Sequence, residues 1–94
     1  MAEGREFAET VALRALGWIA SDAARFSALL DASGLDAAGL RARATDAEVL
    51  AAVLDFLLSD ETAVLAFAAE TGLAPEAALR ARAALPGGDL PHWT

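Results

Sequence analysis

The chain states one pattern twice. Ser21-Asp22 recurs as Ser59-Asp60, Gly34-Leu35 as Gly72-Leu73, and Leu40-Arg41-Ala42-Arg43-Ala44 as Leu79-Arg80-Ala81-Arg82-Ala83. The first two pairs lie 38 residues apart and the third 39, so one residue inserted between Leu73 and Leu79 brings all three into register. Such a register predicts a duplicated structural unit. Each copy reads as a long helix, a Ser-Asp break, a second helix, a Gly-Leu corner and a short arginine-bearing helix. In that register Leu16 matches Leu54, Trp18 matches Phe56, Phe26 matches Val64 and Leu29 matches Phe67.

The residue types agree with an all-α reading. Alanine fills 26 of the 94 positions and leucine 15, β-branched residues are few, and glycine and proline punctuate the chain at intervals. Alanine buries little area per side chain, so a core must rest on leucine with four Val, four Phe, two Trp, one Ile and one Met. At roughly 1.5–3 kcal/mol for each large side chain fully buried, these suffice for a compact bundle without a deep ligand cavity. A single domain of this size gains from association with a copy of itself.

Seven Asp and seven Glu stand against seven Arg and no Lys, a formal charge of −7. That balance repels nucleic acid and anionic membrane surfaces, because binding to either draws on a basic surface. The absence of cysteine rules out disulfides and thiolate metal sites. Glu3, Arg5, Glu6 and Glu9 precede any apolar segment, unlike a secretion signal. The longest apolar stretches, 49–54 and 63–69, are far short of the roughly 18 residues that span a bilayer. The expectation is a soluble cytoplasmic protein.

Six helices are predicted in a compact bundle, with two pseudo-symmetric three-helix halves over about 6–44 and 46–84 as the favoured arrangement, a plain five-helix or six-helix orthogonal bundle as the alternative, and a tail over 86–94. The first helix, over about 6–20, places Leu13, Leu16, Ile19 and Ala20 on one stripe and Phe7, Val11 and Trp18 on a flank. Ser21-Asp22 and Ser59-Asp60 supply caps for the helices that follow, and Gly34 and Gly72 close those helices. Asp36 caps a third helix reaching about residue 44. Thr45-Asp46-Ala47-Glu48 reads as a capping box that starts the fourth. That helix, over about 46–58, is apolar except for Asp55 and is expected at the centre of the bundle. Pro75 opens the sixth, with Glu76 in its first turn.

Chemistry-bearing constellations are sparse. His92 is the one histidine, so no convergent metal set forms, and Asp89 and His92 with Ser21 or Ser59 make no triad because both serines are explained as caps. Gly87-Gly88 after Pro86 has neither the strand nor the lysine of a phosphate loop and reads as a turn. Asp55 is either a carboxylate pressed against apolar neighbours and suited to acid–base work, or the exposed edge of its helix and a partner for an arginine. The second reading is preferred. Arg41, Arg43, Arg80 and Arg82 place four of the seven positive charges on two equivalent short helices. They serve the helix C-termini and bridge to Asp36, Glu76 or Asp89, or they form a patch for an acidic partner. Leu90, His92 and Trp93 extend the candidate interaction patch into an apolar tail, which either docks on a partner or folds back with Leu85 over the bundle.

At Ala12-Leu13-Arg14-Ala15-Leu16-Gly17-Trp18-Ile19-Ala20, Val53-Leu54-Asp55-Phe56-Leu57-Leu58 and Arg82-Ala83-Ala84-Leu85-Pro86-Gly87-Gly88-Asp89, the chain resembles a family of small bacterial proteins known only as a domain of unknown function, number 3572. The resemblance covers nearly the whole chain. It implies a short, stand-alone, mainly alphaproteobacterial protein and carries over no activity, cofactor or site residue.

The expected role is protein–protein interaction, as a homo-oligomer or a small regulatory adaptor, with no cofactor, no metal, no membrane and no catalysis. The alternative is a small ligand or a reaction at a groove between the halves around Asp55. A weak nucleic-acid contact through the arginine-bearing short helices comes third.

Overall fold

Short acidic side chains decide where the second to fifth helices begin. The computed structural model describes residues 2–86, which form α1 (Ala2–Ala20), α2 (Ala23–Ser33), α3 (Ala37–Ala42), α4 (Ala47–Leu58), α5 (Glu61–Thr71) and α6 (Glu76–Ala83). Asp22, Asp36, Asp46 and Asp60 each stand in extended backbone at an N-cap and accept from a backbone N–H of the following turn. The capping box expected at Thr45 is replaced by Asp46, whose Oδ1 accepts from the Glu48 N–H at 2.9 Å. A carboxylate one residue nearer the helix meets the free donors directly and carries the charge that favours a helix N-terminus.

The two Ser-Asp corners and the two Gly-Leu corners are built alike. Ser21 Oγ donates to the Trp18 carbonyl and Ser59 Oγ to the Phe56 carbonyl, both at 2.6 Å, while the adjacent aspartates cap α2 and α5. The serines therefore finish one helix and the aspartates start the next. Gly34 and Gly72 close α2 and α5 at φ 75° and 78°, where a side chain would be strained. Ser33 and Thr71 complete the corners, each hydroxyl donating to a carbonyl of its own helix and accepting from the N–H of Leu35 or Leu73.

Long-range packing is less even. Helix α4 lies at the centre, against α1, α2, α5 and α6, and buries Val49, Leu50, Ala51, Val53, Leu54 and Leu57. Helix α6 packs on both α1 and α4 and buries Ala77, Ala78 and Ala81, whereas its counterpart α3 contributes Leu40 alone to the core. Among the described residues the α1–α6 pair is the most extensive.

That pairing corrects the face expected for the first helix. α1 turns inward Ala8, Ala12, Ala15 and Ile19, with Val11 and Trp18 beside them, while Leu13 stays 42% exposed and Ala20 faces solvent. The buried set follows i, i+4, i+7 and i+11, a single helical stripe built largely of alanine. Small side chains on both α1 and α6 favour close approach of the two helix axes. α1 also starts earlier than the spacing suggested, at Ala2.

No helix of the described residues is long and apolar enough to cross a membrane.

Candidate functional site

The 38-residue register converges on one place. Trp18 with Phe56, Ile19 with Leu57, and Arg25 with Ala63 are three matched pairs, and all six residues line a single open groove of about 360 Å³. It lies where the α1–α2 corner meets the α4–α5 corner. Ile19 and Leu57 are fully buried at its base, and Ser59 and Asp60 stand at its rim.

Trp18 is held on three sides. Its Nε1 donates to Glu70 Oε1 at 2.9 Å, its ring meets Phe67 edge-on at a centroid distance of 5.8 Å, and the Arg25 guanidinium lies 3.9 Å above its centroid. Stacking occupies the face of the guanidinium and leaves its N–H edges for an acceptor. Arg25 is half-buried and makes no ion pair among the described residues. Its own N–H binds the Asp22 cap at 3.0 Å. That bond, with the guanidinium charge nearby, holds the Asp22 carboxyl below the usual aspartate range.

A second depression of about 350 Å³ adjoins the first and shares Phe56 and Ser59 with it. Leu29, Ala32 and Ser33 line one side and Ala52 and Asp55 the other. Phe56 is thus a half-buried ridge between two hollows. Along α2 the edge consists of Ala24, Ala28 and Ala32, all exposed and spaced at i, i+4 and i+8, so nothing large closes the channel from that side.

Asp55 sits at the far end of this channel as the exposed edge of α4. Its Oδ1 accepts from Arg82 Nε at 2.7 Å, with side-chain exposures of 59% for Asp55 and 18% for Arg82. Arg82 Nη1 also donates to the Pro86 carbonyl at 3.0 Å, so one guanidinium ties α4, α6 and the segment after α6 together.

The four arginines singled out from the sequence do not form one patch. Arg82 engages Asp55, and Arg43 engages Asp46 at 3.3 Å, in place of the expected Asp36 and Glu76, while Asp89 lies outside the described residues. Asp46 and Asp55 are nine positions apart on and before α4, about 13 Å along the axis and half a turn out of phase. Arg80 lies 4.9 Å from the Phe7 ring centroid. Arg41 is exposed beside Leu16, Ala20 and Phe26. The Arg43 hydrogen bond, second to the backbone N–H of Glu48, lowers the Asp46 pKa from its usual value. Leu90, His92 and Trp93 lie outside the described residues. Among the described residues no three His, Cys, Asp or Glu side chains gather as metal ligands would.

Sequence reasoning passed over Arg25 and the alanine edge of α2. The usable signal was the match of Trp18 with Phe56, which put two aromatics at equivalent points of two corners.

The chain is thus an all-α helical bundle with an open apolar channel where its α1–α2 and α4–α5 corners meet. A family model described as protein of unknown function (DUF3572) matches residues 5–88, and the chain belongs to that family. No curated protein and no solved structure matches it.

Proposed function

We propose that this chain is a protein-interaction module, a small adaptor that docks an amphipathic segment of a partner in the channel between α2 and α4. The observation that carries the reading is the Phe56 ridge with an open apolar hollow on either side. Two hollows in series suit successive apolar side chains along one face of a helix or strand. The unpaired edges of Arg25 at one end favour a carboxylate there, and Trp18, mostly buried and fixed by Glu70, Phe67 and Arg25, gives the first hollow a rigid wall.

A photoreactive side chain at exposed Ala28 tests this in cells. The expected result is a discrete adduct with one partner, lost when Ala32→Glu closes the channel with a charge and kept when exposed Ala69→Glu changes a remote surface. An adduct indifferent to Ala32→Glu, or none at all, counts against the reading.

A small ligand or a reaction at Asp55 draws on the same channel with less support. Asp55 is largely exposed, Arg82 already holds it, and no other ionisable residue lines that hollow. Nucleic-acid contact through α3 and α6 is weakened likewise, since Arg43 and Arg82 are engaged by carboxylates in a chain of charge −7.

A further inference from the structure

The outer face of α1 carries exposed Leu13 at its centre, with exposed Thr10 and Arg14 beside it, and charge toward its ends. Leu13 is 42% exposed, Gly17 and Ala20 face solvent, and Leu16 is half-buried. A side chain added at Gly17 would meet nothing within 4 Å. Of the residues 38 positions later on α4, Ala51 and Leu54 are buried and Leu58 is half-buried, while Asp55, which matches Gly17, is exposed.

Charge is distributed along this face with a definite polarity. Glu6 and Glu9 share the stripe with Leu13 near the N-terminal end of α1. Glu6 is exposed and has no ion-pair partner among the described residues, while Glu9 pairs with Arg5 at 3.1 Å. At the other end a hollow of about 220 Å³ is bounded by Leu16, Ala20, Phe26 and Leu40, with Arg41 at its edge. Arg41 is exposed and also makes no ion pair among the described residues.

We propose that a second copy of this chain covers this face, its α1 lying antiparallel on the first with the two-fold axis at Leu13. The residue numbers carry the geometry. Glu6 and Ala20 are equally far from Leu13, so the axis sets Glu6 of one copy against Ala20, and hence Arg41, of the other. Leu13 meets its own symmetry mate, and Glu9 falls opposite Gly17, where there is room. A two-fold contact must be complementary to itself, and a contact centred on Leu13 and flanked by acid at one end and base at the other meets that condition in the antiparallel sense alone. The helix segment from Glu6 to Ala20 is about 21 Å long, a narrow interface suited to reversible association. This face lies apart from the α2–α4 channel, and neither reading depends on the other.

Sedimentation equilibrium of the full chain between about 5 µM and 1 mM tests the proposal. The expected result is a monomer–dimer equilibrium between the 9.6 kDa chain mass and twice that value. Leu13→Glu, with unchanged helicity and melting, sediments as a monomer throughout. Glu6→Arg and Arg41→Glu each weaken the dimer several-fold, and the two together restore it, because the exchanged charges again face one another. A wild-type chain that stays monomeric overturns the proposal, as does a Leu13→Glu variant that still dimerises. Charge exchanges without effect, singly or together, overturn the antiparallel register.

Discussion

Arg82 Nε lies 2.7 Å from Asp55 Oδ1, joining α6 to α4 across 27 residues of sequence. The two partners are unequal, since Arg82 is mostly covered and Asp55 mostly exposed. Arg82→Ala removes the buried stem, the ion pair and the bond to the Pro86 carbonyl together, a loss of about 1–2 kcal/mol. Asp55→Asn leaves an acceptor in place and costs about 0.5 kcal/mol or less, as exposed pairs do. Urea unfolding of both variants measures the difference, and equal losses would show that the charge pair, not the arginine stem, holds α6.

The alanine stripe reverses the usual ranking of core residues on α1. Ala12 is completely buried on the inward face, whereas Leu13 beside it is 42% exposed. Ala12→Leu forces α1 away from its neighbours and destabilises by about 1–3 kcal/mol. Leu13→Ala changes the stability of the dilute chain by no more than about 0.5 kcal/mol. Thermal unfolding at low concentration checks both, and a larger loss from Leu13→Ala would put the leucine side of the helix back into the core.

These residues mark the boundary of what the sequence could reveal. Helix starts and stops were legible because a cap or corner is decided within about four residues, as at Asp22, Asp60, Gly34 and Gly72. Asp55 was recognisable as an exposed residue seeking an arginine, yet Arg82 stood out no more than Arg80, because the choice depends on where α6 lies. The inward face of α1 was misread for the same reason. Burial of leucine normally outweighs burial of alanine, but α6 offers Ala77, Ala78 and Ala81, and close approach of two small-residue surfaces wins at this contact. The aromatic half of the channel was visible as the Trp18–Phe56 match. Its cation was not, since Arg25 matters only once packing sets it over the indole.

Glycine substitutions separate backbone conformation from packing. Gly34 and Gly72 have φ 75° and 78°, and an added Cβ at either would touch nothing within 4 Å. Gly34→Ala and Gly72→Ala therefore cost about 1 kcal/mol each through backbone strain alone. Gly17, also in open space but within α1, gives the opposite sign, with Gly17→Ala stabilising by about 0.5–1 kcal/mol. Denaturant midpoints of the three variants test this. Similar effects at all three positions would mean that the left-handed corners relax when substituted.

Acid sensitivity follows from two helix caps. Backbone N–H donors and a neighbouring arginine hold the Asp22 and Asp46 carboxyls below their usual range: Arg25 for the first, Glu48 and then Arg43 for the second. The folded pKa is the lower one, so the unfolded chain binds more protons in the titration range and stability rises with pH there. The contribution is whole above the unfolded value of about 3.9 and is lost as pH falls through the lower folded values. Asn caps a helix nearly as well as Asp but does not titrate here. The Asp22→Asn, Asp46→Asn double variant is therefore expected to keep most of its stability at pH 7 and to lose less than the wild type between pH 5 and pH 2. Chemical unfolding across that interval reads the slope directly, and parallel pH profiles for the two proteins would remove the caps as its source.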